Sequence, residues 1–398
     1  MSTAGHAGYQ GPPLLGRGLR PFFLLAGLYA VLSLLLWLGV LAGHCSIPTA
    51  FDPVAWHAHE MLFGFALAAI AGFVLTAVPH WTGRPVLSGT PLGLLVLLWL
   101  AGRLAVASSA VIGPMTAATV DLLFPAVLLA IVANDILRAR HWHGLLLVAV
   151  LGVLLVANLL THLQPIGDWW QLGEAGRRLG LGVLVMLISL IGGRVIPNFT
   201  GNWLQARGEQ RPPLLGPADR LALVATAAGL LSWTVQPESA VSGALLALAA
   251  LAQFARLARW RGHRTLAEPL VWSLHLAYLW VPIGLGLLAL GILLPDAAPA
   301  SAGMHALAAG AIAGMIAAMT TRATLGHTGR TLHADRWTLS IYLLLCAGAT
   351  VRVASALFPA AYLTLLGAAG VLWLAAFGLF VLRYGPMLVT ARADGRAP

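Results

Sequence analysis

The sequence predicts an all-α membrane protein of about twelve transmembrane helices, arranged as three pseudo-repeats of four. Three observations carry that prediction. The 398 residues are 59% hydrophobic and 9% charged, against roughly 25% charged in an average soluble domain. Twelve apolar stretches reach the length of about 20 residues needed to cross a hydrocarbon core of roughly 30 Å. None shows the alternating pattern of a membrane barrel, and a backbone in lipid must satisfy its own hydrogen bonds, so the stretches are read as helices.

Taken in order, span 1 covers residues 21 to 42. It is span-length and lacks a short apolar core followed by a small-residue cleavage site, so it is expected to stay as a helix and not to act as a cleavable signal peptide. Span 2, 55 to 78, opens on His57-Ala58-His59-Glu60-Met61 and exits through Pro79-His80-Trp81-Thr82-Gly83. Spans 3 and 4, 91 to 108 and 115 to 137, carry Arg103 and Asp121, a plausible ion pair on adjacent helices. Span 5, 143 to 162, holds Asn158 and His162 four positions apart and therefore on one face. Span 6, 178 to 197, exits through Pro197-Asn198-Phe199-Thr200-Gly201; spans 7 and 8 cover 218 to 236 and 240 to 258. His275 and Tyr278 lie in span 9, 268 to 294, and His305 opens span 10, 303 to 321, which is followed by Gly326-His327-Thr328-Gly329. Spans 11 and 12 cover 336 to 357 and 361 to 383, with Arg352 near the end of span 11.

The formal charge of +10 is carried by arginine alone, since lysine is absent. Nineteen of the 23 arginines fall on the face that holds both termini. Arg177 and Arg178 are placed in a loop on the opposite face, and Arg103 and Arg352 just inside helix ends there. This asymmetry is the positive-inside signature, so both termini are expected in the cytoplasm and no nucleic-acid partner is implied. Cys45 and Cys346 are about 300 positions apart, which excludes a disulfide framework, a zinc ribbon and covalent haem attachment.

The Thr-Gly exits of spans 2, 6 and 10 share one face, and the second and third lie 118 and 246 positions after the first. They suggest three repeats, over 20–140, 141–262 and 263–385, within a single polytopic domain of residues 1–398. The 246 offset places His59 on His305 and Gly64 on Gly310.

Ionisable groups inside spans are costly and mark functional sites. His57, His59, His162 and His305 fall at one depth, near the periplasmic ends of spans 2, 5 and 10. Neutral imidazole ligates haem iron and copper, so His59 and His305 are the first axial pair to consider for a haem held between two repeats. His57 lies about 200° around the helix from His59 and needs a different partner. Glu60 is the carboxylate placed to relay protons beside such a centre. Arg352 has no acid close in sequence and is a candidate for a haem propionate, and Arg103 lies at the same depth. His275, deep in span 9, is either a ligand or an interhelical hydrogen-bonding group, and His327 marks a second candidate site on the cytoplasmic side.

The strings HAHEMLFGFALAAIAGFVLTAVPHWTGRP (57 to 85), GRVIPNFTGN (193 to 202) and MHALAAGAIAGMIAAMTTRATLGHTGR (304 to 330) resemble the NnrS family of polytopic membrane proteins. The resemblance runs over essentially the whole chain. It implies a bacterial inner-membrane protein of the nitric oxide response, associated with haem b and with copper as a second metal. It also implies that His57, His59, Glu60, His275, His305 and His327 match recurrent polar positions; His80 departs from the asparagine expected there. A weaker, architectural resemblance is to the catalytic subunit of haem-copper oxidases and nitric oxide reductases, where histidines of helices 2 and 10 bind haem. The copper-site histidines that those enzymes carry on helices 6 and 7 have no counterpart here.

The leading expectation is therefore a haem b protein, with copper as a further candidate, that binds nitric oxide or another small diatomic. If it also reduces it, as an oxidoreductase, it needs a quinol or cytochrome as electron donor. Two alternatives stay open: a proton-coupled transporter of a small solute, and a haem or copper sensor or delivery protein without turnover. The scarcity of intramembrane carboxylates favours the first reading over the transporter. Membrane lipid is an implied partner in every case.

Overall fold

The computed structural model describes residues 9–396, and among them every regular element is helical. Twelve long helices follow one another: α1 (Leu19–Leu41), α2 (Pro53–Thr82), α3 (Thr90–Ala107), α4 (Pro114–Arg138), α5 (Trp142–Gly167) and α6 (Trp170–Gln205). They continue with α7 (Pro217–Val235), α8 (Ala240–Arg259), α9 (Pro269–Leu293), α10 (Ala300–His327), α11 (Arg336–Leu357) and α12 (Pro359–Val389). Eleven of them are long and apolar enough to cross a membrane. The remaining one, α7, forms where span 7 is expected, but Asp219 and Arg220 in its first turn dilute its apolar character. The chain is a multi-pass helical membrane protein. Leu104, Leu251, Leu363 and Leu382 stand exposed on helix surfaces, as side chains that face lipid do.

Helix starts follow local chemistry. The Asp52 carboxylate accepts from the Val54 and Ala55 amides at 3.0 and 2.9 Å, and Pro53 occupies the first turn of α2, where its missing N–H costs nothing. Asp335 caps α11 through the Thr338 amide at 2.9 Å, and Ser239 caps α8. The limits of α6 depart most from the sequence reading. α6 begins at Trp170, so Arg177 and Arg178 are helical residues that both pair with Glu174 one turn earlier, not loop residues.

Three helices differ from the rest. α2, α6 and α10 each contain a π-helical turn, at Glu60–Ala66, Ile188–Gly192 and Ala306–Ile312. They are also the most buried spans, at 78%, 56% and 61% of their apolar windows, where no other span exceeds 44%. A π turn inserts one residue into the helical ladder and re-aims the side chains around it, commonly at functional sites. The first and third turns begin immediately after His59 and His305, at the 246-residue offset. The Thr-Gly exits behave less uniformly. Gly83 and Gly329 adopt positive φ of 67° and 72°, whereas α6 runs through Thr200–Gly201 to Gln205.

The chain divides into two compact units. The first holds the residues up to Gly180 with Thr320–Leu332 and the segment from Phe377 onward. In it α2 packs on α1, and α4 packs between α3 and α5. The second holds Leu181–Met319 and His333–Ala376. There α8 packs between α7 and α9, and the π turn of α10 lies against α9 and α11.

Cys45 is exposed in the connection between α1 and α2, whereas Cys346 is half-buried within α11. A membrane-impermeant maleimide applied to intact spheroplasts is therefore expected to label Cys45, with a Cys45→Ser variant unlabelled. Labelling only after lysis would invert the topology read from the arginines.

Candidate metal centre

The π turn of α2 builds a buried polar cluster in the first unit. His59 and Glu60 stand at its entry, both fully buried. The Glu60 carboxylate takes Arg103 of α3 on Oε2 at 2.8 Å and the Tyr29 hydroxyl of α1 on the same oxygen, while Oε1 faces His59 Nδ1 at 3.0 Å. Arg103 uses its other terminal nitrogen for Asp121 Oδ1 on α4. Asp121 Oδ2 accepts from Asn158 Nδ2 at 2.8 Å and meets His162 Nε2 at 3.0 Å, both on α5. His59 Nε2 faces Asn158 Oδ1 at 2.9 Å and Asp121 Oδ2 at 3.4 Å. Five helices thus converge on two carboxylates, one guanidinium and two imidazoles.

Local sequence makes this approach feasible. A Cβ on Gly64, inside the π turn, would stand 2.6 Å from the Tyr29 ring, 3.0 Å from Glu60 Oε2 and 3.1 Å from Arg103. Glycine is therefore what lets α1, α2 and α3 share the carboxylate. The Gly64 carbonyl accepts from the Trp99 indole at 3.3 Å, and Tyr29 packs edge-on against that indole. Phe51 and Phe63 pack against the His59 ring at 5.2 and 5.3 Å, and Phe51 also against His162.

Charge arithmetic defines what the cluster lacks. Glu60 and Asp121 are two negative charges against one guanidinium, so with neutral imidazoles one negative charge is left inside an apolar protein. Both His59 nitrogens face acceptors: the Glu60 carboxylate on one side, and on the other an amide oxygen whose own N–H₂ is committed to Asp121. That geometry suits an imidazolium, or a neutral imidazole with a cation in the place of the proton. One ligand atom each from His59, Asp121 and His162 lies within 4.8 Å of the others. Two imidazoles and a carboxylate are a donor set for iron, copper or zinc, and three protein ligands leave a coordination position open. His162 Nδ1 is buried without a hydrogen-bond partner among the described residues, a further nitrogen for a cation. The residues present fit a single metal ion.

The chain matches the family model described as NnrS protein over residues 13–392. It belongs to the NnrS family. No curated protein matches the chain. The cluster in this NnrS chain unites six of the residues singled out in the sequence: His59, Glu60, Arg103, Asp121, Asn158 and His162. The others stand elsewhere. His57 turns away and stacks on Trp37 at 4.7 Å, the divergence expected of residues two apart on a helix. In the second unit, His305 Nδ1 donates to the Ser301 carbonyl at 2.8 Å, and Nε2 accepts from Arg352 at 3.0 Å. Arg352 is held in addition by Ser355. An axial haem ligand at His59 or His305 would have to give up one of these partners. His275 bonds Thr200 of α6 at 2.7 Å through Nε2, beside Trp260. His327 ends α10, its carbonyl accepting from Arg392 at 2.8 Å.

Tyr29 and the donor role of Asp121 escaped the sequence reading. Asp121 was legible as an intramembrane acid but read only as the partner of Arg103. The second unit of this NnrS chain holds another missed network. Arg256, sorted by sequence only to the face that holds both termini, is buried and bonds Asp219 at 2.9 Å, the Ser189 carbonyl at 2.9 Å and Tyr278 at 2.9 Å. Tyr278 in turn donates to Gln253 at 2.7 Å. Ser189 lies in the π turn of α6, so this turn presents a carbonyl to a buried arginine.

Removing one partner of a buried ion pair costs about 3–5 kcal/mol because the other charge is stranded. Arg103→Gln is expected to lower the stability of the detergent-solubilised protein by about that much in chemical unfolding. The exposed Arg207→Gln is expected to change it by less than about 1 kcal/mol.

Proposed function

We propose that this membrane protein serves the nitric oxide response by holding a copper or iron ion at His59, Asp121 and His162 and binding nitric oxide there. Family membership fits a role in the nitric oxide response, and the observation that supports the site is the convergence of three buried donors on one point, beside an unbalanced negative charge. An ion held there supplies a redox-active centre with coordination positions open to a diatomic ligand.

The chain's own residues supply the rest. Arg103 and Asn158 fix the Asp121 carboxylate, so that one oxygen is oriented toward both imidazoles. Arg103 and Tyr29 hold Glu60 against His59 Nδ1, which sets the ring's orientation in the way outer hydrogen bonds set metal-ligating histidines. The Phe51 and Phe63 rings keep water from His59. Glu60 is also the nearest carboxylate able to accept the proton that His59 gives up when a cation replaces it. Reduction of nitric oxide would further require a quinol or cytochrome donor. A quinol or cytochrome is not needed for binding alone.

A second reading is haem b, with His59 in the first unit or His305 in the second as a candidate axial ligand. It is supported by the two π turns that begin directly after these histidines at one repeat spacing. We also infer an inner-membrane location with both termini in the cytoplasm, from the sorting of the arginines.

Purified protein is expected to carry about one equivalent of metal per chain, and His59→Ala, Asp121→Asn and His162→Ala to lower metal affinity at least about tenfold. His275→Ala is expected to retain it. Metal analysis decides between the readings. Full metal content in the Asp121→Asn and His162→Ala proteins, together with a Soret band lost in His305→Ala, would replace the first reading by the second.

A further inference from the structure

The start of α1, the end of α10 and the end of α12 meet at one end of the first unit, and arginines gather there. Arg20 is 1% exposed. It donates through one terminal nitrogen to the Leu388 and Thr390 carbonyls at 3.0 and 2.7 Å, the last turn of α12 and the residue after it. Its other terminal nitrogen is buried without a hydrogen-bond partner. Arg17 lies one turn earlier, its carbonyl accepting from the Arg20 amide. Arg392 follows two residues after Thr390 and donates to the His327 carbonyl. Arg330 donates to the Thr328 carbonyl at 3.3 Å, the same oxygen that takes the Ala393 amide at 2.9 Å. Arg17, Arg330 and Arg392 all lie near enough to Arg20 to repel it, and His327 feels Arg17, Arg392 and His80.

An acid that joins this group is Asp394, and both its oxygens are taken by Arg392, at 2.9 and 2.6 Å. Gly329, at positive φ, lets that carboxylate lie against the turn, where a Cβ would stand 2.5 Å from it. Arg20 itself is held by carbonyls, not by a carboxylate. Capping a helix C-terminus accounts for one of its nitrogens. It does not account for the second nitrogen. A buried guanidinium with one unpartnered terminal nitrogen, flanked by further guanidinium groups, is an arrangement suited to a multivalent oxyanion held by charge-assisted hydrogen bonds.

We propose that Arg17, Arg20, Arg330 and Arg392 form a binding site for a phosphate-type anion, supplied either by the headgroup of an anionic phospholipid or as soluble phosphate. The site lies on the face to which the arginines sort, where anionic lipid attracts juxtamembrane cations. It belongs to the first unit but shares no residue with the metal cluster, so neither reading depends on the other.

The test uses the full-length protein, delipidated in detergent. Thermal unfolding is followed against inorganic phosphate and against sodium chloride at matched ionic strength, and native mass spectrometry is recorded with phosphatidylglycerol and with phosphatidylcholine. The variant is the double substitution Arg17→Gln with Arg330→Gln, which leaves the Arg20 bonds to α12 intact and is checked for a cooperative melt. Wild type is expected to bind phosphatidylglycerol, phosphate or both in preference to the controls, with affinity about tenfold weaker in the variant. Preference for phosphate alone identifies a soluble ligand, and preference for phosphatidylglycerol alone identifies a lipid. Wild type that distinguishes neither probe from its control, or a folded variant that binds as wild type does, overturns the proposal and leaves the arginines as helix caps.

Discussion

The structure of the first unit depends on closing charge in a medium that does not tolerate it open. Arg103 is inserted between Glu60 and Asp121, and none of the three is reachable by water. Each would be prohibitively costly alone at this depth. Together they still leave one negative charge, which is why the imidazole of His59 bridges the same two carboxylates. The cluster is therefore built to hold one further positive charge, whether proton or metal ion. The functional reading follows from that deficit more than from any single residue.

Geometry around the deficit explains features that look unrelated. At the entry of the π turn of α2, His59 and Glu60 bond each other and join one cluster, although neighbours on a regular helix point about 100° apart. Gly64 clears the space in which Tyr29 and Arg103 reach the carboxylate, and Trp99 takes up the carbonyl of that glycine. α2 is accordingly the most buried span of the chain. The same device recurs in α6, where the π turn offers the Ser189 carbonyl to Arg256, and in α10, where His305 precedes the turn and meets Arg352. In each case an arginine from another helix meets the π-turn helix at or beside the turn.

Much of this was legible in the sequence because the bilayer restricts what a chain can do. Apolar runs of span length gave helices whose ends differ by at most six residues from expectation, except α6, which extends eight residues further at each end, from Trp170 to Gln205. The pairing of Arg103 with Asp121 and the shared face of Asn158 and His162 followed from the cost of intramembrane charge and from helical spacing. What stayed hidden is contact between distant segments. Nothing in the order of residues says that Tyr29 meets Glu60, or that His162 and His59 share Asp121, since those contacts depend on how five helices are rotated. Sorting arginines by topology also concealed Arg20 and Arg256. Both sit at helix ends, where a charge is ordinarily solvated, yet both are buried against carbonyls or acids.

The central claim, a single ion held by two imidazoles and one carboxylate beside Arg103, is tested most directly by X-ray absorption at the metal edge of the purified protein. The account predicts a first shell of nitrogen and oxygen only, with outer-shell scattering from two imidazole rings that falls to one in His162→Ala. A porphyrin scattering pattern, a sulfur shell, or a spectrum unchanged by the His162 substitution would contradict it.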